Sequence, residues 1–402
     1  MQTRIHRSDS VLVDRIRAEI AEHGPITFAR FMELALYDPE HGYYMTGANE
    51  RARGADAETR LGWEGDFLTA PDVHPLLGMI LFRQIREVDA LLDHPRPLTV
   101  VEIGPGKGTL VRDLLHACSR SDPDLLTRLR YVLVERSPMM RRAQEQMLAP
   151  YERRRNHLQW VTAVEELGDR AVTGLIYSNE LVDALPIHRV TVRGGALKEI
   201  MVDVAGAEFI ESLADPSTPE LGEYLRRQGI TLPEGYTTEI HLEAVRWMKS
   251  VAQALDRGLL VTIDYGHTAQ DYYAPTRRDG TLLCYSRHRI VRDPYTMIGE
   301  QDMTAHVNFS ALALAGEEHG ASVAGFTNLS HYLIGLGAEE LLADGSFDSH
   351  DLRRAAELFR PQGFGGTFKV LIQQKGLSAP TLRGLRFRPF FDGVLDVRRS
   401  DA

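Results

Sequence analysis

The spacing of apolar positions divides the chain into a helical N-terminal part and a longer part in which apolar runs alternate with helices. Residues 8–22 and 27–36 have helical spacing, and Thr27 is a predicted N-cap of the second segment. From Leu98 onward, short apolar runs such as "LTVVEIG", "RYVLVERS" and "GLLVTIDYG" are separated by segments of helical period. This alternation is typical of a parallel sheet that helices cover on both faces. We therefore predict an α/β fold.

A segment with a different pattern interrupts this alternation after about residue 187. Its sequence, "HRVTVRGGALKEIMVDVAGAEFIES", indicates antiparallel strands around a Gly194-Gly195 turn, and we interpret it as an insertion. The predicted parts are an N-terminal helical cover (1–95), an α/β core (96–186 and 237–376), a β-rich insertion of α+β character (187–236) and a C-terminal tail (377–402).

Composition and charge narrow the classes of protein that fit this pattern. The chain has 402 residues, of which 43% are hydrophobic and 25% charged, as is ordinary for a globular protein. A formal net charge of -10 argues against a nucleic-acid partner. The 2 cysteines are too few for a disulfide framework. No pair of His or Cys residues has a dependable ligand spacing, so we predict no metal site.

The first twenty residues lack a recognisable targeting pattern. They contain Asp9, Asp14 and Glu19, whereas secretory signals need an uninterrupted apolar core and transit peptides are poor in acids. No stretch of the chain approaches the roughly 20 apolar residues that cross a bilayer. These features predict a cytoplasmic protein without a membrane span.

A glycine-rich turn, "VEIGPGKGTL", follows the first predicted strand of the core. The dinucleotide pattern G-x-G-x-x-G, started at Gly104, would require glycine at position 109, which is Thr. The glycines are instead Gly104, Gly106 and Gly108, with Glu102 two residues before the first. This E-x-G-x-G-x-G arrangement resembles motif I of class I methyltransferases that use S-adenosylmethionine (SAM). The alternative is an ordinary strand-to-helix turn.

Acidic and amide side chains follow the next strands. Glu102 is placed to meet the ammonium group of SAM, and Glu135, at the end of "YVLVERS", to accept hydrogen bonds from both ribose hydroxyls. Asn179, which we assign to the cofactor, precedes Glu180 and Asp183 directly after the apolar "GLIY". In a helical turn, Glu180 and Asp183 would share one face and could hold a cationic acceptor. The alternative for Asp183 is an acid favoured by a helix N-terminus alone.

Other polar residues have both a functional and a structural interpretation. Asp66 could hold a cationic acceptor or cap the segment that follows it. His306 could accept a proton or line the acceptor site, or be a buried structural histidine. Asp264 and Tyr265 end a predicted strand, where residues of open α/β sheets approach ligands. The alternative is a buried tyrosine whose hydroxyl is held by a hydrogen bond.

Five longer motifs make a resemblance specific. "GDFLTAPDVHPLLG", "VEIGPGKGTL", "SNELVDALP", "VTIDYG" and "GEQDMTAHVNFSAL" together resemble the MidA family of SAM-dependent methyltransferases over about residues 20–376. This family includes a mitochondrial complex I assembly enzyme that dimethylates an arginine. The resemblance implies SAM as cofactor and a class I Rossmann-like methyltransferase core with an N-terminal helical cover and an inserted lobe. By motif position, Gly104, Gly106 and Gly108 carry over as cofactor-loop residues, Glu135 as the ribose acid and Glu180 as the acid after strand four.

These observations predict a SAM-dependent methyltransferase that acts on a protein, with arginine as the favoured acceptor. The predicted catalytic residues are Glu180, Asp183, Asp66 and His306. One alternative is methylation of a small molecule or of another protein side chain, which the same cofactor motifs would serve. A second alternative is an assembly chaperone with a structural SAM site. The oligomeric state is open, with a homodimer as one option.

Overall fold

Strands and helices alternate along most of the chain. The structure, a computed structural model, describes residues 9–46, 69–152, 157–286 and 289–387. The strands are β1 (Ile26–Thr27), β2 (Leu98–Ile103), β3 (Leu129–Val134), β4 (Leu158–Val161), β5 (Val172–Asn179), β6 (His188–Arg193), β7 (Ala196–Ala205), β8 (Glu208–Ala214), β9 (Thr237–Ile240), β10 (Leu255–His267), β11 (Leu283–Ser286), β12 (Arg289–Val291), β13 (Asp302–Thr304), β14 (Val307–Asn308), β15 (Ser322–Asn328) and β16 (Phe368–Lys375). The helices are α1 (Ser10–His23), α2 (Phe28–Tyr37), α3 (Ala70–Val73), α4 (Leu76–Leu91), α5 (Thr109–Ser121), α6 (Pro123–Arg128), α7 (Pro138–Glu152), α8 (Glu220–Arg227), α9 (Leu242–Ala254), α10 (Ala269–Tyr272), α11 (Phe309–Glu318), α12 (Leu329–Gly335), α13 (Ala338–Ala343), α14 (Ser349–Glu357) and α15 (Phe364–Thr367).

A central sheet has the strand order β15-β16-β10-β5-β2-β3-β4, with β14 added to the end of β10. Neighbouring strands are parallel except β16, which is antiparallel to both β10 and β15. The chain runs outward from β2 to β3 and β4, and then continues on the other side with β5 and β10. The order therefore reverses between β2 and β5, and ligands of such sheets bind at the carboxyl ends of the strands around this point.

Both faces of the central sheet are buried. Along β2, Val100 belongs to one hydrophobic cluster and its neighbour Val101 to another, because successive side chains of a strand point to opposite faces. Helices α4 and α5 cover the first face, and α9 and α11 cover the second. The predicted α/β fold with a parallel core is confirmed.

Two glycines allow the strands at the centre of this sheet to approach each other. A Cβ atom at Gly174 of β5 would lie 2.0 Å from the carbonyl oxygen of Thr99 of β2. A Cβ atom at Gly258 of β10 would lie 1.9 Å from the carbonyl oxygen of Gly174. Both glycines also have positive φ angles, 149° and 139°. The alignment of β2, β5 and β10 therefore requires glycine at both positions.

An antiparallel sheet forms a second layer beside the core. Strand β7 pairs with β6, β8 and β1, and β6 pairs with β9. Strands β1 and β9 thus join this sheet from outside the predicted insertion at residues 187–236, and the proposed domain bounds stay a prediction. Helices α1 and α2 pack against this sheet through a third hydrophobic cluster.

Side chains cap the starts of two helices, α2 and α11, and the predicted cap at Thr27 is confirmed. Thr27 Oγ1 accepts a hydrogen bond from the backbone N–H of Arg30 at 3.1 Å, and Asn308 Oδ1 accepts one from Ala311 at 3.2 Å. Among the described residues, no helix has both the length and the apolar character needed to span a membrane. The same residues contain no group of three or more His, Cys, Asp or Glu side chains arranged to hold a metal ion.

Candidate active site

The glycine-rich turn connects β2 to α5 at the point where the strand order reverses. Gly104, Gly106 and Gly108 have φ angles of 69°, 54° and 87°, which side chains with a Cβ rarely adopt. A Cβ at Gly104 would also lie 2.7 Å from Leu181 Cδ1. Helix α5 begins at Thr109, immediately after the turn. The turn therefore presents backbone and a helix N-terminus to the space beside it.

This space is a cleft of about 760 Å³, bounded by the turn, by α2 and by α9. Its volume lies within the range typical of small-molecule sites. Six of the predicted site residues line it: Glu102, Gly104, Gly106, Glu135, Asn179 and Glu180. Gly108 lies at the start of α5. Neither Asp183 nor His306 is among the described residues that line the cleft, and Asp66 lies outside the described residues.

Glu102 lines the cleft, and it is almost fully buried. Its Oε2 accepts a hydrogen bond from the Tyr131 hydroxyl at 2.7 Å, and that hydroxyl is also hydrogen-bonded to the Tyr177 hydroxyl. Burial raises the pKa of Glu102 to about 7, although the tyrosine hydroxyls oppose this shift. The tyrosine pair orients the carboxyl group, and its contact with the SAM ammonium stays a prediction.

Glu135 follows β3 and is held by hydrogen bonds to both carboxylate oxygens. Oε1 accepts from the backbone N–H of Ser137 at 2.7 Å, and Oε2 accepts from Gln144 Nε2 at 2.9 Å. Burial raises the pKa of Glu135 to about 7, and these two hydrogen bonds oppose the shift because they favour the ionised form. The carboxylate is thereby fixed at the cleft wall.

Glu180 directly follows β5 in a turn that differs from the predicted one. Its φ angle is 52°, in the left-handed region, and the 3₁₀-helix begins only at Val182. The expectation that Glu180 and Asp183 share one face of a helical turn is therefore wrong. Glu180 Oε1 accepts hydrogen bonds from the backbone N–H of Ala70 at 2.9 Å and from Asn179 Nδ2 at 3.0 Å. Burial raises the pKa of Glu180 to about 8.

Asp264 stabilises the turn that carries Glu180. Its Oδ2 accepts hydrogen bonds from three successive backbone N–H groups, those of Leu181, Val182 and Asp183, at 3.2, 2.9 and 3.3 Å. Asp264 is completely buried at the end of β10, so it acts on the turn rather than on a ligand. The predicted approach of Asp264 to a ligand is corrected accordingly: this carboxylate fixes the backbone that carries Glu180.

Asp183 and His306 both contact Tyr265, near the end of β10. Asp183 Oδ2 accepts a hydrogen bond from the Tyr265 hydroxyl, and burial raises the pKa of Asp183 to about 6. The His306 ring packs edge-on against Tyr265, and its Nδ1 lies 3.0 Å from Nε2 of His267. Burial lowers the pKa of His306 to about 4. The structure thus joins these two predicted catalytic residues to each other through Tyr265, outside the cleft.

Two cleft residues near Glu180 were not predicted. Asp72, on α3, raises the pKa of Glu180 by electrostatic repulsion, a smaller effect than burial. Lys107 belongs to the glycine-rich turn, and partial burial lowers its pKa while Asp72 opposes this. The position of Lys107 between two glycines was a signal in the sequence. Nothing in the sequence singled out Asp72, because acidic residues are common in the first turn of any helix.

Comparison with known proteins identifies the family to which this site belongs. A family model described as S-adenosyl-L-methionine-dependent methyltransferase matches residues 76–327. The chain belongs to this methyltransferase family. The resemblance to SAM-dependent methyltransferases, stated above from the motifs, is confirmed.

Solved and curated relatives of the family match most of the chain. A COG1565 superfamily member from Burkholderia thailandensis, bound to S-adenosyl-homocysteine (SAH), has a TM-score of 0.82 at 31% identity and covers 94% of each chain. "Protein arginine methyltransferase NDUFAF7 homolog, mitochondrial" from Drosophila melanogaster is 27% identical over 92% of this chain and 86% of its own length. "Protein arginine methyltransferase NDUFAF7, mitochondrial" from Rattus norvegicus is 26% identical over 87% of this chain and 81% of its own length. The class I methyltransferase core and SAM as cofactor are confirmed.

One prediction is wrong in the light of these relatives. The chain was expected to be cytoplasmic, whereas the Drosophila and rat proteins are named mitochondrial. The prediction rested on the acidic residues near the N-terminus, and a local composition of this kind does not determine the compartment of a protein. A homodimer stays a prediction.

The cleft residues fit SAM on the evidence of the chain itself. Three glycines with positive φ leave room for close approach of a ligand to the backbone. Glu135 offers a fixed carboxylate to hydroxyl donors. Asn179 Oδ1 is buried without a hydrogen-bond partner among the described groups, so a donor from the ligand would satisfy it. We expect these residues to hold the cofactor, which supplies an electrophilic methyl group when it is bound.

Proposed function

We propose that the chain transfers a methyl group from SAM to an arginine side chain of a protein. The observation that carries this proposal is the Glu180 carboxyl group, which lies in the cleft wall, close to the acid Asp72. The two hydrogen bonds that it accepts from described residues both fall on Oε1. The relatives named protein arginine methyltransferases support the same acceptor.

The chemistry of arginine explains the use of a carboxylate. A guanidinium group has a pKa above about 12, so its nitrogen is a poor nucleophile until the positive charge is localised away from it. A carboxylate that binds two N–H groups of the guanidinium can hold the remaining nitrogen in line with the methyl group. It also localises the positive charge on the two nitrogens that it binds. Glu180 meets the requirement of position because Ala70 and Asn179 fix its Oε1.

The experiment is transfer of labelled methyl from SAM in a lysate, followed by mass spectrometry of the labelled protein. We expect label in methylarginine. Label found in a small molecule or in another protein side chain would replace arginine with that acceptor. Saturable SAM binding with no transfer to any acceptor would favour a structural cofactor site and would refute an enzymatic role.

A pH dependence follows from the raised pKa of Glu180. Below about pH 8 the carboxyl group of the acceptor-free protein is largely neutral, and a cationic acceptor must displace its proton. The KM for the acceptor should therefore fall as the pH rises toward 8 and level off above it. Glu180→Gln has no carboxyl proton to lose, so the KM for the acceptor, measured on the activity that this variant retains, should be independent of pH. A wild-type KM that is constant between pH 6 and 8 would contradict this assignment.

A further inference from the structure

Gln144 is a buried amide that joins three parts of the cofactor side of the cleft. It lies on α7 and is completely buried. Its Nε2 donates to the carbonyl oxygen of Gly106 at 2.7 Å and to Glu135 Oε2 at 2.9 Å. Its Oε1 accepts from Trp160 Nε1 at 3.0 Å. One side chain therefore contacts the glycine-rich turn, the acid after β3 and the residue near the end of β4.

The chemistry of these partners allows only one orientation of the amide. The indole N–H of Trp160 is a donor only, so the group that faces it must be the amide oxygen. The amide nitrogen then faces a carbonyl and a carboxylate, which are both acceptors. Its two hydrogens satisfy one partner each. A half-turn of the amide would lose all three hydrogen bonds, so the orientation is firmly set.

Gln144 also orients the backbone of the glycine-rich turn. In a trans peptide the C=O and the following N–H point in opposite directions. Since the carbonyl of Gly106 points to Gln144, the N–H of Lys107 points away from Gln144. The Gln144 side chain also packs below Gly108, where a Cβ would lie 3.4 Å from Gln144 Cγ.

We propose that Gln144 is a positioning residue for SAM, which holds the Glu135 carboxylate and the glycine-rich turn in the geometry that binds the cofactor. The proposal rests on Glu135 as the ribose acid and is independent of the identity of the methyl acceptor. The hydrogen bond from Gln144 also opposes the rise in the pKa of Glu135 that burial causes. Among the residues that the structure describes, Glu102, Arg136 and Tyr37 are titratable groups near this carboxylate.

The test combines Gln144→Met with removal of the ribose hydroxyls from the ligand. Calorimetry on the full chain gives the Kd of SAH and of its 2′,3′-dideoxy analogue. We expect Gln144→Met to weaken SAH about tenfold or more at pH 7, since a hydrogen bond to a charged group is lost. The analogue does not use Glu135, so the same substitution should weaken it far less. A rise in pH should restore part of the SAH affinity of the variant, because Glu135 then ionises.

Two further variants make the result specific. Gln146→Met places the same change at an exposed position of α7 and should leave both affinities unchanged. Glu135→Ala should weaken SAH and remove the part of the Gln144→Met effect that acts through Glu135, leaving only the part that acts through the glycine-rich turn. No loss of SAH affinity in Gln144→Met would overturn the positioning role. Equal losses for the two ligands would overturn its action through Glu135. Unchanged SAH binding by Glu135→Ala would overturn the ribose assignment itself, while labelled-methyl transfer would still report on the acceptor.

Discussion

Glu180→Gln is expected to lower kcat by about 100-fold or more, in the range found when an acid-base or charge-stabilising group is removed. Gln can still accept the hydrogen bonds from Ala70 and Asn179 through its amide oxygen, so the left-handed turn and the fold should persist. The loss therefore concerns the negative charge alone. Steady-state kinetics of methyl transfer measure the effect on kcat, and calorimetry measures the effect on SAH binding. The SAH affinity of the variant should stay within about twofold of the wild-type value, a smaller change than the loss of one hydrogen bond would cause.

A matched control is available in the same cleft. Glu33 is a partly exposed acid of α2 that lines the cleft and pairs with Arg30. Exposed ion pairs contribute little, so Glu33→Gln should change kcat by less than about threefold. Full activity of Glu180→Gln would exclude Glu180 as the acid that holds the acceptor. A parallel loss of SAH affinity would show instead that the substitution damaged the cofactor site.

Gly174→Ala is expected to prevent stable folding, with a loss of about 4 kcal/mol or more, the size reserved for severe disruption of a core. The added methyl group would lie 2.0 Å from the carbonyl oxygen of Thr99, so β2 and β5 must move apart. Their separation would disturb the sheet directly below the glycine-rich turn. Chemical denaturation, or the yield of soluble protein if the variant does not fold, measures the effect.

Two other glycines provide controls, one expected to stabilise the protein and one expected to destabilise it slightly when replaced by alanine. Gly222 lies within α8 with open space around it, and Gly222→Ala should stabilise the protein by about 0.5–1 kcal/mol, since alanine has the higher helix propensity. Gly194 also has open space but a φ of 62°, so Gly194→Ala should cost only about 1–2 kcal/mol of backbone strain. A Gly174→Ala protein as stable as Gly194→Ala would show that the strands can separate at little cost.

The features predicted correctly from the sequence depend on residues close together in the chain. The apolar run that begins at Leu98 and the helical periodicity that begins at Thr109 each involve residues that are neighbours in the sequence. The same is true of the spacing of the three glycines. The cap at Thr27 depends on an N–H group three residues away. The pairing of β1 with β7 was not predictable in this way, because its register depends on residues 26 and 202 meeting in the folded chain.

The geometry around Glu180 shows the same limit within the site. The acids after β5 suit the first turn of a helix, and nothing within that segment excludes this turn. The observed turn is stabilised by Asp264, which accepts a hydrogen bond from the N–H of Val182 across 82 positions of the chain. Gln144 was more accessible to prediction. It is the polar member of a helical stripe between the buried Met140 and Leu148, a position where a buried polar group needs partners.

The position of β16 in the central sheet has a consequence for the order of events during synthesis. Strand β10 hydrogen-bonds to β5 on one side, but on the other side to β16, which begins about 100 residues later in the chain. At a translation rate of about 5–20 residues per second, this edge of β10 remains unpaired for about 5–20 s, until β16 has been synthesised. During that interval an apolar strand with unpaired backbone groups is open to other nascent chains. Chaperone dependence should therefore be greatest for nascent chains that end between β10 and β16.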